Sequence, residues 1–196
     1  MRSAFILLAT LALTEAYGQS GYQEGFLLTE SLDTVRGLIR FPGKVAAPSP
    51  CQFRTQKNAP EREVFPGTVH GFCMNNGSYY YSRLVGGTDD VFLEVLVKGY
   101  MNLFRFGDIF YVEKGDSVFF ELSDEREVMR AEGQTQMNKT GNYSRMLTLL
   151  MSDCPEAGKS ASTTPLKEKQ LVRLVAQYNR CRGSESRLFR VKPRVK

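Results

Sequence analysis

The sequence predicts a mainly β, α+β fold: an antiparallel β-sandwich or open barrel with two C-terminal helices packed on it. Three observations carry this. From Val91 to Leu122 apolar side chains recur with a period of two rather than 3.6. Within that stretch Gly99, Gly107 and Gly115 stand eight apart, each beside a charged residue (Lys98, Asp108, Asp116), as reversals between short strands require. Helical periodicity marks only the later segments 143–154 and 165–181.

At the N-terminus Arg2 precedes the apolar run 4–13 and the small residues Ala16 and Gly18, the layout of a secretory signal too short to span a membrane. A signal peptide over 1–18, cleaved after Gly18, makes Gln19 the first mature residue. Later apolar runs are broken by charges, so the mature chain is expected to lack a transmembrane segment and to be secreted or periplasmic/extracellular. Residues 19–181 then suffice for a single β-rich domain with its own core.

Segments 25–30 and 35–41 flank Ser-Leu-Asp-Thr and read as a first hairpin. A loop with Pro42, Pro48 and Pro50 follows, then a strand from Cys51 to Thr55 and a polar turn over 57–62. Segments 68–74 and 78–85 flank Asn75-Asn76-Gly77, a hairpin signal because Asn and Gly tolerate positive φ. Four meander strands follow, giving about nine short strands before residue 125. In the first of these, Val91, Leu93, Val95 and Val97 share one face, and Phe92, Glu94, Leu96 and Lys98 the other. Apolar residues on both faces predict that the second face is also covered.

In the first helix Tyr143, Met146, Leu147, Leu150, Met151 and Cys154 form one face. Thr164 is the expected cap of the second, with Pro165 at its first position and Leu171, Leu174, Val175, Tyr178 and Cys181 along its apolar stripe. Four cysteines in an exported chain allow three disulfide pairings. Cys154 with Cys181 is the first choice, leaving Cys51 with Cys73. A simple helical hairpin would place the second helix's end about 24 Å from Cys154, whereas a disulfide needs Cα atoms within about 7 Å. The connection 155–164 spans up to about 33 Å if extended. Crossed or roughly parallel helices are therefore expected.

Chemistry is sparse. His70 is the single histidine, and strand alternation turns it away from Cys73, so a structural role is favoured over a catalytic one. No serine sits in GxSxG, no glycine cluster cradles phosphate, and Asp89 and Asp90 lack the ligand spacing of a calcium loop. No metal or cofactor is expected. Glu94 and Glu121 are conceivable as a glycosidase pair. Tyr79 and Tyr81 share a strand face, where they either stack on a ligand such as a sugar or, the favoured reading, pack across a hairpin. Asn76, Asn138 and Asn142 head glycan-acceptor triplets.

Charge is uneven. From Arg180 onward seven Lys or Arg face one acid, Glu185, a local +6 within a net +5, so the rest of the chain carries −1. Residues 182–196 read as a basic, flexible tail. Arg187, Arg190, Lys192, Arg194 and Lys196 offer attraction to an anionic surface, and nucleic acid is not expected as a partner because no recognition motif is present.

Gly71-Phe72, the run Val91 to Tyr100, Ser152-Asp153-Cys154-Pro155 and Tyr178-Asn179-Arg180-Cys181 together resemble a group of uncharacterised secreted or envelope proteins of Gram-negative bacteria. The resemblance spans most of the mature chain and implies an envelope or extracellular setting without an established activity. The reading that follows is a non-enzymatic module binding a partner or envelope surface; its rival is a hydrolase acting on envelope polysaccharide or peptide.

Overall fold

In the computed structural model, residues 21–43, 47–115, 118–123, 130–131, 134–135 and 142–189 are described. The signal segment, Asn138, Arg190, Lys192, Arg194 and Lys196 lie outside them. The first six strands are β1 (Gln23–Leu28), β2 (Thr34–Arg40), β3 (Cys51–Arg54), β4 (Arg62–Val64), β5 (Gly71–Met74) and β6 (Tyr79–Val85). The meander follows as β7 (Asp89–Lys98), β8 (Met101–Phe106), β9 (Ile109–Lys114) and β10 (Val118–Leu122). The two-residue strands β11 (Arg130–Ala131) and β12 (Gln134–Thr135) pair with each other. Three helices, α1 (Asn142–Leu150), α2 (Pro155–Ala161) and α3 (Glu168–Cys181), precede the short strand β13 (Arg187–Leu188).

Strands β1 to β10 form one open antiparallel sheet in the order β10-β9-β8-β7-β6-β5-β1-β2-β3-β4, and β13 joins it beside β7. The meander and both predicted hairpins are in place. Glycine serves two purposes there: Gly107 and Gly115 take positive φ at the β8–β9 and β9–β10 reversals. Gly99 instead makes room, since a Cβ on it would meet the Asn179 amide nitrogen at 2.4 Å.

Side-chain alternation divides the sheet into two faces. On the helix face, Leu103, Val112 and Leu122 are buried with Leu147, Met151, Leu171, Val175 and Tyr178. Farther along the same face, Phe72, Tyr80 and Phe92 form a second cluster with Leu27, Ile39 and Phe53. Phe41 plugs that cluster, its ring lying 4.9–5.9 Å edge-on from Phe72, Tyr80 and Phe92. The outer face holds Tyr81, Val91, Leu93, Val95, Phe104 and Tyr111, a cluster with no helix residue among the described ones. It is covered from within, by Tyr111 stacked on Phe119 at 5.4 Å and by Tyr79 and Phe189.

One strand departs from simple alternation. The β7–β8 register shifts between Val95 and Val97, so Leu96 is an extra residue. Val97 thereby joins Leu96 on the helix face, and Lys98 turns outward over the Tyr79 and Tyr81 rings. The expected grouping of Val97 with Val95 is thus corrected at the bulge. The turn expected over 57–62 also ends in the short strand β4.

The helical part has three helices rather than two. The chain expected to connect them contains α2, which starts where Pro155 takes the first helical position after Cys154. Thr164 does not cap α3. Its hydroxyl donates to Ser160 O at 2.8 Å and its carbonyl accepts from Tyr143 Oη at 3.0 Å, so α3 begins after Lys167. Ser144 Oγ also donates to Ser162 O at 3.1 Å, which sets the start of α1 against the end of α2. The Cys154–Cys181 disulfide, with Cα atoms 6.3 Å apart, sets the start of α2 against the end of α3. Successive helices therefore run antiparallel, and α1 and α3 both run toward the disulfide, the roughly parallel arrangement that its geometry demanded. Closing the loop across a sequence separation of 27 stabilises the fold by about 3 kcal/mol.

Asn179, fully buried, fixes α3 on the sheet. Its Oδ1 accepts from Met101 N at 2.7 Å and its Nδ2 donates to Met101 O at 2.9 Å, satisfying the backbone at the β7–β8 turn. Asn179→Ala strands two buried backbone groups and is expected to destabilise the fold by about 3 kcal/mol in urea titration. Asn179→Asp should be at least as damaging, because it sets a buried carboxylate oxygen against the Met101 carbonyl oxygen that the amide now serves.

Candidate functional site

The predicted site residues sit in separate places. On the outer face the His70 ring lies 5.2 Å from Tyr81 and Tyr79 lies 4.9 Å from Tyr81. Lys98 Nζ donates to Tyr81 Oη, the Arg83 guanidinium lies 5.3 Å from the Tyr81 ring, and Arg83 pairs with Glu113 at 3.2 Å. Burial, reinforced by Arg83 and Lys98, pushes the His70 imidazole below its usual range, so it is neutral at pH 7. Burial likewise raises the Tyr79 phenol. Tyr81 is buried and Tyr79 half-buried against Phe189, so these rings are packed rather than presented.

Glu94 and Glu121 lie on opposite faces and cannot flank one bond. Glu121 accepts from Tyr111 Oη at 3.2 Å on the outer face. Glu94, buried on the helix face, is held by Nε and Nη2 of Arg105, and Arg105 Nη1 reaches Glu168 in the first turn of α3. This ion triad pins the start of α3 as Asn179 pins its end. The strand pattern marked Glu94, but nothing in it identified Arg105 or Glu168 as its partners.

Cys51 and Cys73 are thiols, which corrects their expected pairing. Between β3 and β5 lie β2 and β1, so the two cysteines stand three strand spacings apart, about 14 Å. They also face opposite ways, Cys51 into the inner cluster and Cys73 beside Tyr79. Burial pushes the Cys51 thiol up to about 12. Burial also raises Cys73, against an opposing effect of Arg187.

The motif segments 152–155 and 178–181 converge beside Lys114. Tyr178 Oη donates to Asp153 at 2.9 Å, and Lys114 Nζ reaches Asp153 at 3.2 Å and the α1 carbonyl of Leu150 at 2.6 Å. Burial alone would raise the Asp153 carboxyl, but the Tyr178 and Lys114 hydrogen bonds outweigh it and hold the group below the ordinary Asp range.

The tail is docked where it is described. Ser184 N donates to Asn179 O at 2.9 Å, Asn179 Nδ2 donates to Ser186 Oγ at 3.0 Å, and Arg187 and Leu188 pair with Lys98 and Val97. The flexible segment expected from residue 182 is thereby corrected for 182–189. Of the cationic residues expected to meet an anionic surface, Arg187 is described, and it is exposed.

Away from all these, a groove of 830 Å³ runs over the outer side of the β1–β2 hairpin, within the usual size of ligand sites. Tyr22 and Phe26 supply aromatic surface, Arg36, Gln56, Lys57 and Asn75 supply polar groups, and Glu24, which accepts from Asn75 Nδ2 at 3.2 Å, is the one acid among the lining residues. Tyr22 is held rigidly: the Arg40 and Arg54 guanidinium groups lie 5.0 and 4.6 Å from its ring. Its hydroxyl and both of those arginines bond Glu61. Arg36 stands directly across from Phe26 in the β1–β2 register. Among the described residues no acid pairs with Arg36 or Lys57. A second depression of 920 Å³ over the disulfide, between Pro155, Glu156, Gln177 and Arg180, contains no aromatic side chain. The sequence showed β1 and β2 but not the groove, because Tyr22, Lys57 and Asn75 meet there through the pairing of β1 with β2 and β5 and of β2 with β3.

Among the described residues no group of three or more His, Cys, Asp or Glu side chains is placed to hold a metal ion, and no helix is long and apolar enough to cross a membrane. No protein-family model matches the chain, and no match emerges among curated proteins or solved structures.

Unfolded without reductant, the protein should present two reactive thiols to Ellman's reagent. In the native state only Cys73 should react, because Cys51 is fully buried. The lowered Asp153 pKa gives stability that is present above about pH 4 and lost as pH falls through the lower folded value. The urea midpoint of Asp153→Asn should therefore lie below that of the parent at pH 7, with the gap shrinking below about pH 4.

Proposed function

We propose that this chain is an exported, non-enzymatic binding module whose β1–β2 groove holds an anionic polysaccharide of the cell envelope or surroundings. The observation that carries the reading is the groove's composition: an aromatic wall from Phe26 and the firmly held Tyr22, beside two cations, Arg36 and Lys57, that outnumber the one lining carboxylate, Glu24, and form no ion pair with a described acid. Flat rings offer apolar surface to sugar faces, and unpaired cations seek carboxylate or sulfate. Export is supported by the signal-like residues 1–18 and by the Cys154–Cys181 disulfide, which persists in oxidising compartments. A hydrolase reading finds less support, because His70 is packed on Tyr81 and the two strand carboxylates face apart.

Affinity electrophoresis in gels containing polygalacturonate, with neutral dextran as control, tests the proposal. The full chain should be retarded by the first and not the second. Arg36→Gln with Lys57→Gln should weaken binding by roughly thirtyfold or more, the loss of at least one charged hydrogen bond. If neutralising Arg190, Lys192, Arg194 and Lys196 abolishes retardation while the groove variant keeps it, the tail rather than the groove is the binding element.

A further inference from the structure

The edge of β7 carries a second inference, independent of the groove. β7 is ten residues long, but β6 pairs with it only from Asp89 to Glu94. Beyond that point, among the described residues, the Leu96–Lys98 edge on that side is met only by the chain's own C-terminal segment. Arg187 and Leu188 pair with Lys98 and Val97, and Phe189 N donates to Leu96 O at 3.2 Å. The Phe189 ring lies 5.3 Å from Tyr79, while Leu188 is 50% exposed.

The hold on this segment changes abruptly along the chain. Up to Ser186 it is tied into the fold by Ser184 N on Asn179 O, Ser184 Oγ accepting from Tyr100 N, and Ser186 Oγ accepting from the buried Asn179 amide. Over the described residues 187–189 it is held by a two-residue ladder, one further backbone bond and the packing of the Phe189 ring on Tyr79 and the outer-face cluster. A strand of that length is marginal by itself. Sheet edges with unsatisfied backbone groups accept extended peptides, with main-chain bonds supplying affinity and alternate side-chain seats supplying selectivity.

We propose that the Leu96–Lys98 edge of β7 is a strand-acceptor slot, filled in the isolated chain by residues 187–189 and open, on their release, to an extended segment of a partner protein. The geometry specifies the partner segment: an aromatic residue at the place of Phe189, seated against Tyr79, preceded by two residues whose side chains face solvent. The resident segment acts as an intramolecular competitor, because tethering at Ser186 gives it an effective concentration on the order of millimolar.

The test uses the full chain and a fluorescein-labelled peptide of residues 184–190, Ser-Glu-Ser-Arg-Leu-Phe-Arg, read by polarisation. Phe189→Pro removes both the donor to Leu96 O and the ring on Tyr79 and should bind the peptide saturably. The intact chain should bind it about tenfold more weakly or worse. The same peptide with alanine at the phenylalanine position should bind neither. Phe189→Ala, which keeps the N–H, is the second variant, with intermediate binding expected; thermal unfolding verifies that each variant is folded. Absence of binding by the folded variants, or equal binding by variant and intact chain, overturns the proposal. So does dimerisation of the intact chain through exchange of its own segment without peptide binding, which would assign the slot to a second copy.

Discussion

The carboxamide of Asn179 is the constraint on which the architecture depends. A two-residue reversal between long central strands leaves backbone groups that a helix packed above it would cut off from water. An unmatched buried donor or acceptor costs about 1–3 kcal/mol, so a helix can lie there only if it brings the matching groups. Asn179 brings one of each to Met101, and Ser184 serves Tyr100 just beyond the helix. The fit is close enough that residue 99 must lack a Cβ. Helix, turn and glycine therefore specify one another.

The other end of α3 is set by charge. Arg105 lies between Glu94 on the sheet and Glu168 in the first turn of the helix, at the boundary between the two inner clusters. A partly buried ion pair contributes little net stability compared with apolar packing, yet one without its partner is costly, so its effect is to select one docking of the helix over shifted ones. With Asn179 at one end and Arg105 at the other, α3 has no freedom to slide along β8. The disulfide and the Tyr178–Asp153–Lys114 hydrogen bonds then extend that fixity to α2 and α1. Asp153, Cys154, Tyr178, Asn179 and Cys181 are thus occupied in tying the helices to one another and to the sheet.

Much of this was legible in the sequence wherever a local rule governs the outcome. Reversals at glycine, the Asn75-Asn76-Gly77 hairpin and the apolar stripe of α3 follow from backbone preference and periodicity, and the Cys154–Cys181 bond from compartment and reach. What escaped was set by neighbours distant in sequence. Alternation has no means of marking Leu96 as an inserted residue, because the bulge exists only relative to β8. Cys51 and Cys73 lie 22 positions apart on strands that look adjacent, but β1 and β2 come between them because β1 pairs with β5. Thr164 has the chemistry of a helix cap and uses it on α2 instead. The groove and the Arg105 triad, each assembled from three or more elements, had no local signal at all.

Division of the sheet into a clamped half and an unclamped half bears on where recognition can occur. Over β7 to β10 the inner face is filled by helices and the outer face by its own aromatic rings, so substitutions there disturb packing first. The β1–β2 hairpin is covered on its inner face by the Phe41 cluster, while its outer face keeps an aromatic wall and cations without described acidic partners. Tyr22 illustrates the difference from the packed tyrosines at 79 and 81. Its ring is immobilised by two guanidinium groups and by its hydroxyl on Glu61 while still lining open space, so little conformational entropy remains to be lost when a ligand settles on it. A rigid ring beside two cations that form no ion pair with a described acid combines preorganisation with electrostatic selectivity, and that combination is the property of this fold that a binding function would draw on.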